Sequence, residues 1–249
     1  MKREEKMKEN KYDNEQFFKK YEMMERSKKG LEGAGEWHEL KKILPDFKGK
    51  TVLDLGCGYG WHCAYAIKQG ADYVLGVDIS KKMLEAAKAK NADTKIEYRC
   101  QAMEDLDFSE NKFDIIISSL AFHYIKDFAG LVEKIVMWLK ENGEFVFSVE
   151  HPVFTSYGSQ DWYYDENGNI LHFPVDNYYY EGKREAVFLG EKVIKYHRTL
   201  TTYLNCLLSK GFELKHVIEP QPSPEMIELP GMKDEMRRPM MLLVSAKKK

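Results

Sequence analysis

Three glycines alternate with single residues in Val52–Trp61, VLDLGCGYGW, and this stretch limits what the chain can fold into more narrowly than the rest of it. Val52, Leu53 and Leu55, with Asp54 between them, read as a short buried strand. Gly56, Gly58 and Gly60 then make a turn that tolerates little more than hydrogen as a side chain. A helix begins after the turn, and its unpaired N–H groups and positive dipole end face whatever lies above the loop. That arrangement suits a nucleotide-like ligand.

Spacing separates two such ligands. A dinucleotide fingerprint needs G-x-G-x-x-G, and its third glycine would stand at position 61, which is Trp61. The chain has G-x-G-x-G, with Asp54 two positions before the first glycine. A carboxylate beside the turn repels a pyrophosphate and suits a ligand that presents an ammonium group. S-adenosylmethionine, a nucleoside joined to an amino-acid tail through a sulfonium, has both features. Asp78 in VLGVDIS closes an apolar run from Tyr73 to Val77 and lies 22 positions after Gly56. An acid about 20 residues past the glycines, at the end of the second strand, is where ribose hydroxyls are accepted. An ordinary tight turn with an unrelated surface Asp is the plainer explanation, and the joint register of the two features speaks against it.

These residues resemble the class I S-adenosylmethionine-dependent methyltransferases of the small-molecule, type 11-like kind. VLDLGCGYG is similar to that family's first motif, GVDIS to its second, and FDIIISSLAFHYI to its fourth-strand region. The resemblance covers roughly Thr51 to Val149 and loosens towards both ends. It implies the cofactor and the fold, and leaves the methyl acceptor open. It also implies cofactor contacts at Asp54, Gly56, Cys57, Gly58, Asp78 and Ser119. Ile79 and Met83 would pack one face of the adenine, with Ala102, Met103 and Glu104, or Asp105, around the base after the third strand. N-terminal helices of the family close over the cofactor, which makes Tyr21 a lid contact.

The rest of the chain alternates in step with that reading. Residues 1–11 form a solvated charge run. An amphipathic helix is expected from Asp13 to Lys28, with Phe17, Tyr21 and Met24 at helical spacing, and a second from Glu36 to Leu44, stopped by Pro45. Strands are expected at Thr51–Leu55, Tyr73–Asp78, Ile96–Cys100, Phe113–Ser118 and Gly143–Val149. Helices are expected at Trp61–Gln69, Lys81–Lys90 with Ser80 as N-cap, and Leu131–Lys140. Leu200–Lys210 reads as a helix ended by Gly211, Phe212–Glu219 and Met240–Ala246 as strands, and residues 220–238 as a Pro-rich, charged loop. The fold class is therefore α/β: a doubly wound, seven-stranded mixed sheet of the Rossmann-like methyltransferase type. Residues 1–45 are read as a helical lid and 46–249 as the methyltransferase domain. Ligands in such sheets bind beyond the carboxyl ends of the strands, where Asp54, Asp78, Met103, Ser119 and Glu150 fall.

Residues 151–198 lack this periodicity and are dense in aromatic side chains. So long an insertion at the ligand edge is read as a substrate cap, with Trp162, Tyr178 and Tyr179 facing the acceptor and the remaining rings forming a satellite core. Two histidines, His123 after strand four and His151 after strand five, are the expected general bases near the methyl group. His151 is favoured because it joins the cofactor platform to the cap. The net charge of −2 and pI near 6.4 supply no basic footprint for nucleic acid. Neither a D/N-P-P-Y/F signature nor a Pro-Cys nucleophile is present, and no metal site is read from the acids or from Cys57, Cys63, Cys100 and Cys206. No apolar run approaches the roughly 18 residues of a membrane span, and a cytoplasmic location is expected. The expected activity is transfer of a methyl group to a small organic molecule on O, N or C. A non-catalytic S-adenosylmethionine-binding module, with the insertion serving a protein partner, is the alternative. Whether the chain forms a homodimer is left open.

Overall fold

The computed structural model describes residues 10–249. The N-terminal charge run up to residue 9 lies outside the described residues. The central sheet follows the alternation read from the sequence: β1 Thr51–Leu55, α4 Trp61–Lys68, β2 Tyr73–Asp78, α5 Lys81–Lys90, β3 Ile96–Cys100, β4 Phe113–Ser119, α6 Phe128–Trp138 and β5 Leu139–Glu150. α8 Leu200–Ser209, β10 Phe212–Ile218 and β11 Met241–Lys248 complete it. The strand order is β10-β11-β5-β4-β1-β2-β3. β1 runs parallel to β2 and β4, β2 to β3, and β4 to β5, whereas β11 is antiparallel to both β5 and β10. The order reverses direction between β1 and β4, so the crevice above their carboxyl ends is open to a ligand.

Period-2 alternation sends side chains to two cores. Leu53, Leu55, Ile116, Phe145 and Phe147 pack against Phe128, Leu131, Ile135, Trp138, Tyr203 and Leu207 on one face. Val52, Ile115, Ile117 and Val146 face Cys63, Ala66, Leu84, Trp37 and Leu40 on the other. Trp37 and Leu40 belong to α3 (Trp37–Ile43), so the N-terminal segment helps to bury the sheet. All these side chains are almost fully buried, and both faces are sealed up to the crevice.

Besides β5, which begins at Leu139 where the preceding helix was expected to run on to Lys140, two stretches depart from the sequence reading. The helix expected over residues 13–28 is two, α1 Glu15–Glu22 and α2 Glu25–Lys29, because Met24 adopts an extended backbone (φ −67°, ψ 148°). That break turns Arg26 towards Glu36, which it meets with two short hydrogen bonds of 2.6 and 2.7 Å. The insertion holds a short helix, α7 Pro152–Ser156, and two separate hairpins, β6 Tyr163–Tyr164 with β7 Ile170–His172, and β8 Gly182–Phe188 with β9 Glu191–His197. α1 lies on the second hairpin. Phe17 meets Phe188 edge-on at 5.8 Å, and Lys20 Nζ donates to the Leu189 carbonyl at 3.0 Å. Among the described residues no helix is long and apolar enough to cross a membrane.

Candidate active site

The glycine loop takes its shape from three left-handed residues, Gly56 (φ +77°), Gly58 (φ +52°) and Gly60 (φ +73°), but only two of them are sterically enclosed. A Cβ on Gly56 would stand 2.5 Å from Ala121 Cβ, and one on Gly60 would stand 2.2 Å from the Tyr98 hydroxyl. At Gly58 a Cβ would meet nothing within 4 Å. Gly58 therefore borders open space, and its N–H donates to Asp78 Oδ2 at 2.9 Å. The other oxygen of Asp78 accepts from the Ser80 N–H at 2.8 Å. The two backbone donors fix the carboxylate at the loop and leave lone pairs for further donors. Burial outweighs those bonds and raises the Asp78 pKa to about 6.

The space above Gly58 is one end of a cavity of about 470 Å³. Asp78, Ile79, Met83, Ala102, Met103 and Glu104 line that end, with Gly56, Gly58, Ser119 and Tyr21, so these sequence-predicted residues are brought together. A smaller lobe of about 70 Å³ adjoins the loop, bordered by Arg26, Cys57, His62 and Trp61. Trp61 Nε1 and His62 Nε2 are buried without a hydrogen-bond partner among the described residues. Polar atoms so buried ordinarily find partners, so this lobe suits a polar group. Burial lowers the His62 pKa to about 4, so the ring is neutral at physiological pH.

The lid contact expected of Tyr21 belongs to a larger N-terminal closure. Asp13 accepts from the Ser80 hydroxyl at 2.6 Å and the Lys82 N–H at 3.1 Å, which pins the chain entering α1 to the N-terminus of α5. Those donors, chiefly Ser80, hold Asp13 below the usual carboxylate range against a desolvation that raises it. Tyr12 then reaches Tyr124, with the two hydroxyls 3.2 Å apart on the cavity wall.

Several expected site residues stand elsewhere. Asp54 is 1% exposed, lies outside the cavity lining, and accepts from the Cys63 thiol at 3.2 Å. Burial raises its pKa to about 7. His151 does not line the cavity either. Its Nδ1 caps α7 by accepting from the Val153 N–H at 3.1 Å, while its Nε2 lies 2.8 Å from Glu219 Oε1 without hydrogen-bond geometry. Tyr178 is tied to α8 by its hydroxyl, which accepts from the Leu200 N–H at 3.1 Å, and Tyr179 is 87% exposed. Trp162 packs edge-on against Phe173 at 5.3 Å. None of these three lines the cavity; from the cap, Phe154, Phe188 and Val193 do.

His123 does line it, and it is buried. Its Nδ1 accepts from the Glu150 N–H at 3.4 Å. Desolvation lowers its pKa to about 4 in spite of the Glu150 carboxylate beside it. Glu150 is itself engaged, Oε1 with Lys195 Nζ at 2.6 Å and Oε2 with Gln160 at 2.7 Å, which ties strand β5 to the cap. Sequence reading placed Glu150 at a strand end and missed Arg26, Tyr12 and the Pro-rich segment after β10. Nothing periodic marks them, and only the Pro-rich composition hints that the last is a wall.

A family model, the methyltransferase domain, matches residues 53–147. A solved S-adenosylmethionine-dependent methyltransferase from Mesorhizobium loti is 42% identical, superposing with a TM-score of 0.81 over 88% of this chain and all (100%) of that one. A Listeria monocytogenes protein assigned to the same class is 56% identical, with a TM-score of 0.85 over 88% of this chain and 99% of its own. The chain belongs to the S-adenosylmethionine-dependent methyltransferases. Its glycine loop and Asp78 fit that cofactor, because the space over Gly58 is open and the carboxylate stands beside it. A ubiquinone biosynthesis O-methyltransferase from Neisseria meningitidis is 33% identical to this methyltransferase over 129 residues, 46% of this chain and 54% of that one. Among the described residues there is no group of three or more His, Cys, Asp or Glu placed to hold a metal ion.

Proposed function

We propose that this methyltransferase acts on a small, largely apolar organic molecule held in the same cavity as the cofactor. The observation that carries the reading is the continuity of that cavity from Gly58 and Asp78 to Phe154, Phe188, Val193 and Met240. A cavity with apolar walls and few polar groups suits a small molecule, and a chain with pI near 6.4 presents no basic face to nucleic acid. The Neisseria relative, an O-methyltransferase of ubiquinone biosynthesis, supports the same class of acceptor. Under this reading residues 10–45 close over the cofactor and residues 151–198 cap the acceptor end. A cavity lined partly by the cap also speaks against a non-catalytic module.

When bound, S-adenosylmethionine supplies a methyl group activated by its sulfonium. Asp78 accepts hydroxyl donors, and the N–H groups at the start of α4 face the loop. Tyr12, its pKa raised well above the ordinary value by burial, stays a neutral hydroxyl on the cavity wall. His123 is neutral at pH 7, and its Nδ1 is occupied by a backbone N–H. Its proton therefore sits on Nε2, which makes it a donor that orients the acceptor and not the base that takes its proton. Positioning then supplies most of the rate.

The test is incubation of the purified protein with labelled S-adenosylmethionine and a metabolite extract. Label in a low-molecular-weight compound that partitions into organic solvent supports the reading. Label confined to protein, RNA or DNA refutes it.

A further inference from the structure

One wall of the cavity comes from the Pro-rich segment between β10 and β11. Pro220, Gln221, Pro222, Met226, Met232 and Glu235 all line it. His151 meets the segment at both ends, by a backbone hydrogen bond at one and by an Nε2 without hydrogen-bond geometry at the other. Its Nε2 lies 2.8 Å from Glu219 Oε1 at the start, and its N–H donates to the Met240 carbonyl at 2.9 Å at the end. Between these points the segment folds on itself through local turns, Met226 N–H to Ser223 O at 2.9 Å and Met232 N–H to Leu229 O at 3.1 Å, and the short helix α9 Met232–Glu235.

Near its end the segment reaches into the cap. The Arg238 guanidinium carbon lies 4.6 Å from the Phe154 ring centre, 4.7 Å from Phe173 and 4.9 Å from Trp162. Its Nη1 and Nη2 donate to the two oxygens of Glu235 at 2.8 and 3.1 Å. Arg238 is 8% exposed, and its Nε has no partner among the described residues. Arg237 adds a second hold, with Nη2 donating to the Leu171 carbonyl at 2.6 Å and the guanidinium 5.2 Å from the Trp162 ring. The aromatic density of the insertion thus builds a cage for an arginine of this chain.

We propose that residues 220–239 are a lid over the acceptor end of the cavity, and that Arg238 is the positioning residue that latches the lid to the cap. The proposal rests on the reading that this end holds the acceptor. A planar, always-charged and weakly hydrated guanidinium can stack on several ring faces at once, which a compact ammonium cannot. The Arg238–Glu235 ion pair lies within the lid and orients the guanidinium, so the latch across to the cap holds by ring faces alone, with Nε unpaired, and the lid can open for entry and release. Methionines on the lid are flexible and polarisable and fit apolar shapes that differ in detail. The acceptor is then an apolar small molecule gripped mainly by contact surface.

Trypsin cleavage after Lys233 and Arg237 reports lid opening, and uptake of the uncharged dye N-phenyl-1-naphthylamine reports the apolar end, both with saturating S-adenosylhomocysteine. Arg238→Leu is expected to raise the cleavage rate and weaken dye uptake by about tenfold each, with S-adenosylhomocysteine affinity held within about twofold. Arg238→Lys restores part of both, and Trp162→Leu, which removes one face of the cage, falls between wild type and Arg238→Leu. Cleavage of Arg238→Leu at the wild-type rate overturns the latch. So does loss of cofactor-product affinity in step with dye uptake, because that pattern marks a merely structural residue. Should Arg238→Leu fail to fold by circular dichroism, Arg238→Lys and Trp162→Leu decide, and wild-type cleavage in both overturns the latch. Wild-type protein that binds S-adenosylhomocysteine but not the dye overturns the apolar acceptor end. Wild-type protein that does not bind S-adenosylhomocysteine instead defeats the underlying functional reading.

Discussion

Replacing each glycine of the loop by alanine separates folding from binding. All three positions have positive φ, and an L-residue held there costs roughly 1–2 kcal/mol. At Gly58 that is the whole structural penalty, because an added Cβ meets nothing within 4 Å. At Gly56 the added carbon stands 2.5 Å from Ala121 Cβ and 3.3 Å from Met103 Cε, which adds an overpacking cost of about 1–3 kcal/mol. At Gly60 it falls 2.2 Å from the Tyr98 hydroxyl and displaces a ring whose oxygen donates to the Asn91 carbonyl at 2.9 Å. For a chain of this size 1 kcal/mol is about 2–4 °C in Tm. Gly58→Ala is therefore expected to lower Tm by about 2–8 °C, and Gly56→Ala and Gly60→Ala by roughly twice that or more. Binding should follow a different order. The Gly58 methyl projects into the space assigned to the cofactor, so S-adenosylhomocysteine affinity falls by about tenfold, close to 1.4 kcal/mol, in the variant whose fold suffers least. Thermal unfolding and calorimetric titration of the three proteins decide the matter. Wild-type affinity in Gly58→Ala would refute the assignment of that space, and a Tm loss equal to that of Gly56→Ala would refute the steric argument.

The titrating groups make three further predictions. Asp78 has its pKa raised to about 6, and hydroxyl donors favour its ionised form, so S-adenosylhomocysteine affinity should climb as pH rises towards 6 and level off above it. Calorimetry from pH 5 to pH 8 tests this, and Asp78→Asn should bind weakly at every pH; a wild-type profile without slope would count against the carboxylate. His123 has its pKa lowered to about 4 against an unfolded value of about 6.5, so between these values the unfolded chain binds more protons and stability rises with pH. From pH 7 to pH 5 this one ring should remove about 2 kcal/mol of stability, measured as the part of the urea-unfolding difference that His123→Leu abolishes. Turnover gives the third test. His151→Gln should keep the chemical step at neutral pH close to wild type while loosening the lid, since the ring lies outside the cavity lining, its Nδ1 caps α7 and its Nε2 lies beside Glu219. A loss of about a hundredfold in single-turnover rate with unchanged lid proteolysis would return His151 to the role of base.

Local chemistry by itself determined the platform on which all of this rests. β1, β2, α5 and β3 occupy the spans that their residue patterns predict, because glycine turns, an N-capping Ser80 and continuous apolar runs act over a few neighbouring residues. Asp78 could be placed beside Gly58 from spacing alone, since a strand and a helix of ordinary length leave it nowhere else. The rest of the cavity lining was decided by tertiary structure. Its walls come from Tyr12, Tyr124, Phe154, Phe188 and Met226, which are remote in sequence and carry no shared periodicity. Trp162 and Tyr178 look like ligand contacts when read as composition, yet in the fold one ring cages Arg238 and the other hydroxyl holds α8. His151 stands outside the cavity lining for the same reason. A side chain's task depends on which groups surround it, and Glu219 and Met240 reach it only when β5, β11 and β10 lie in one sheet.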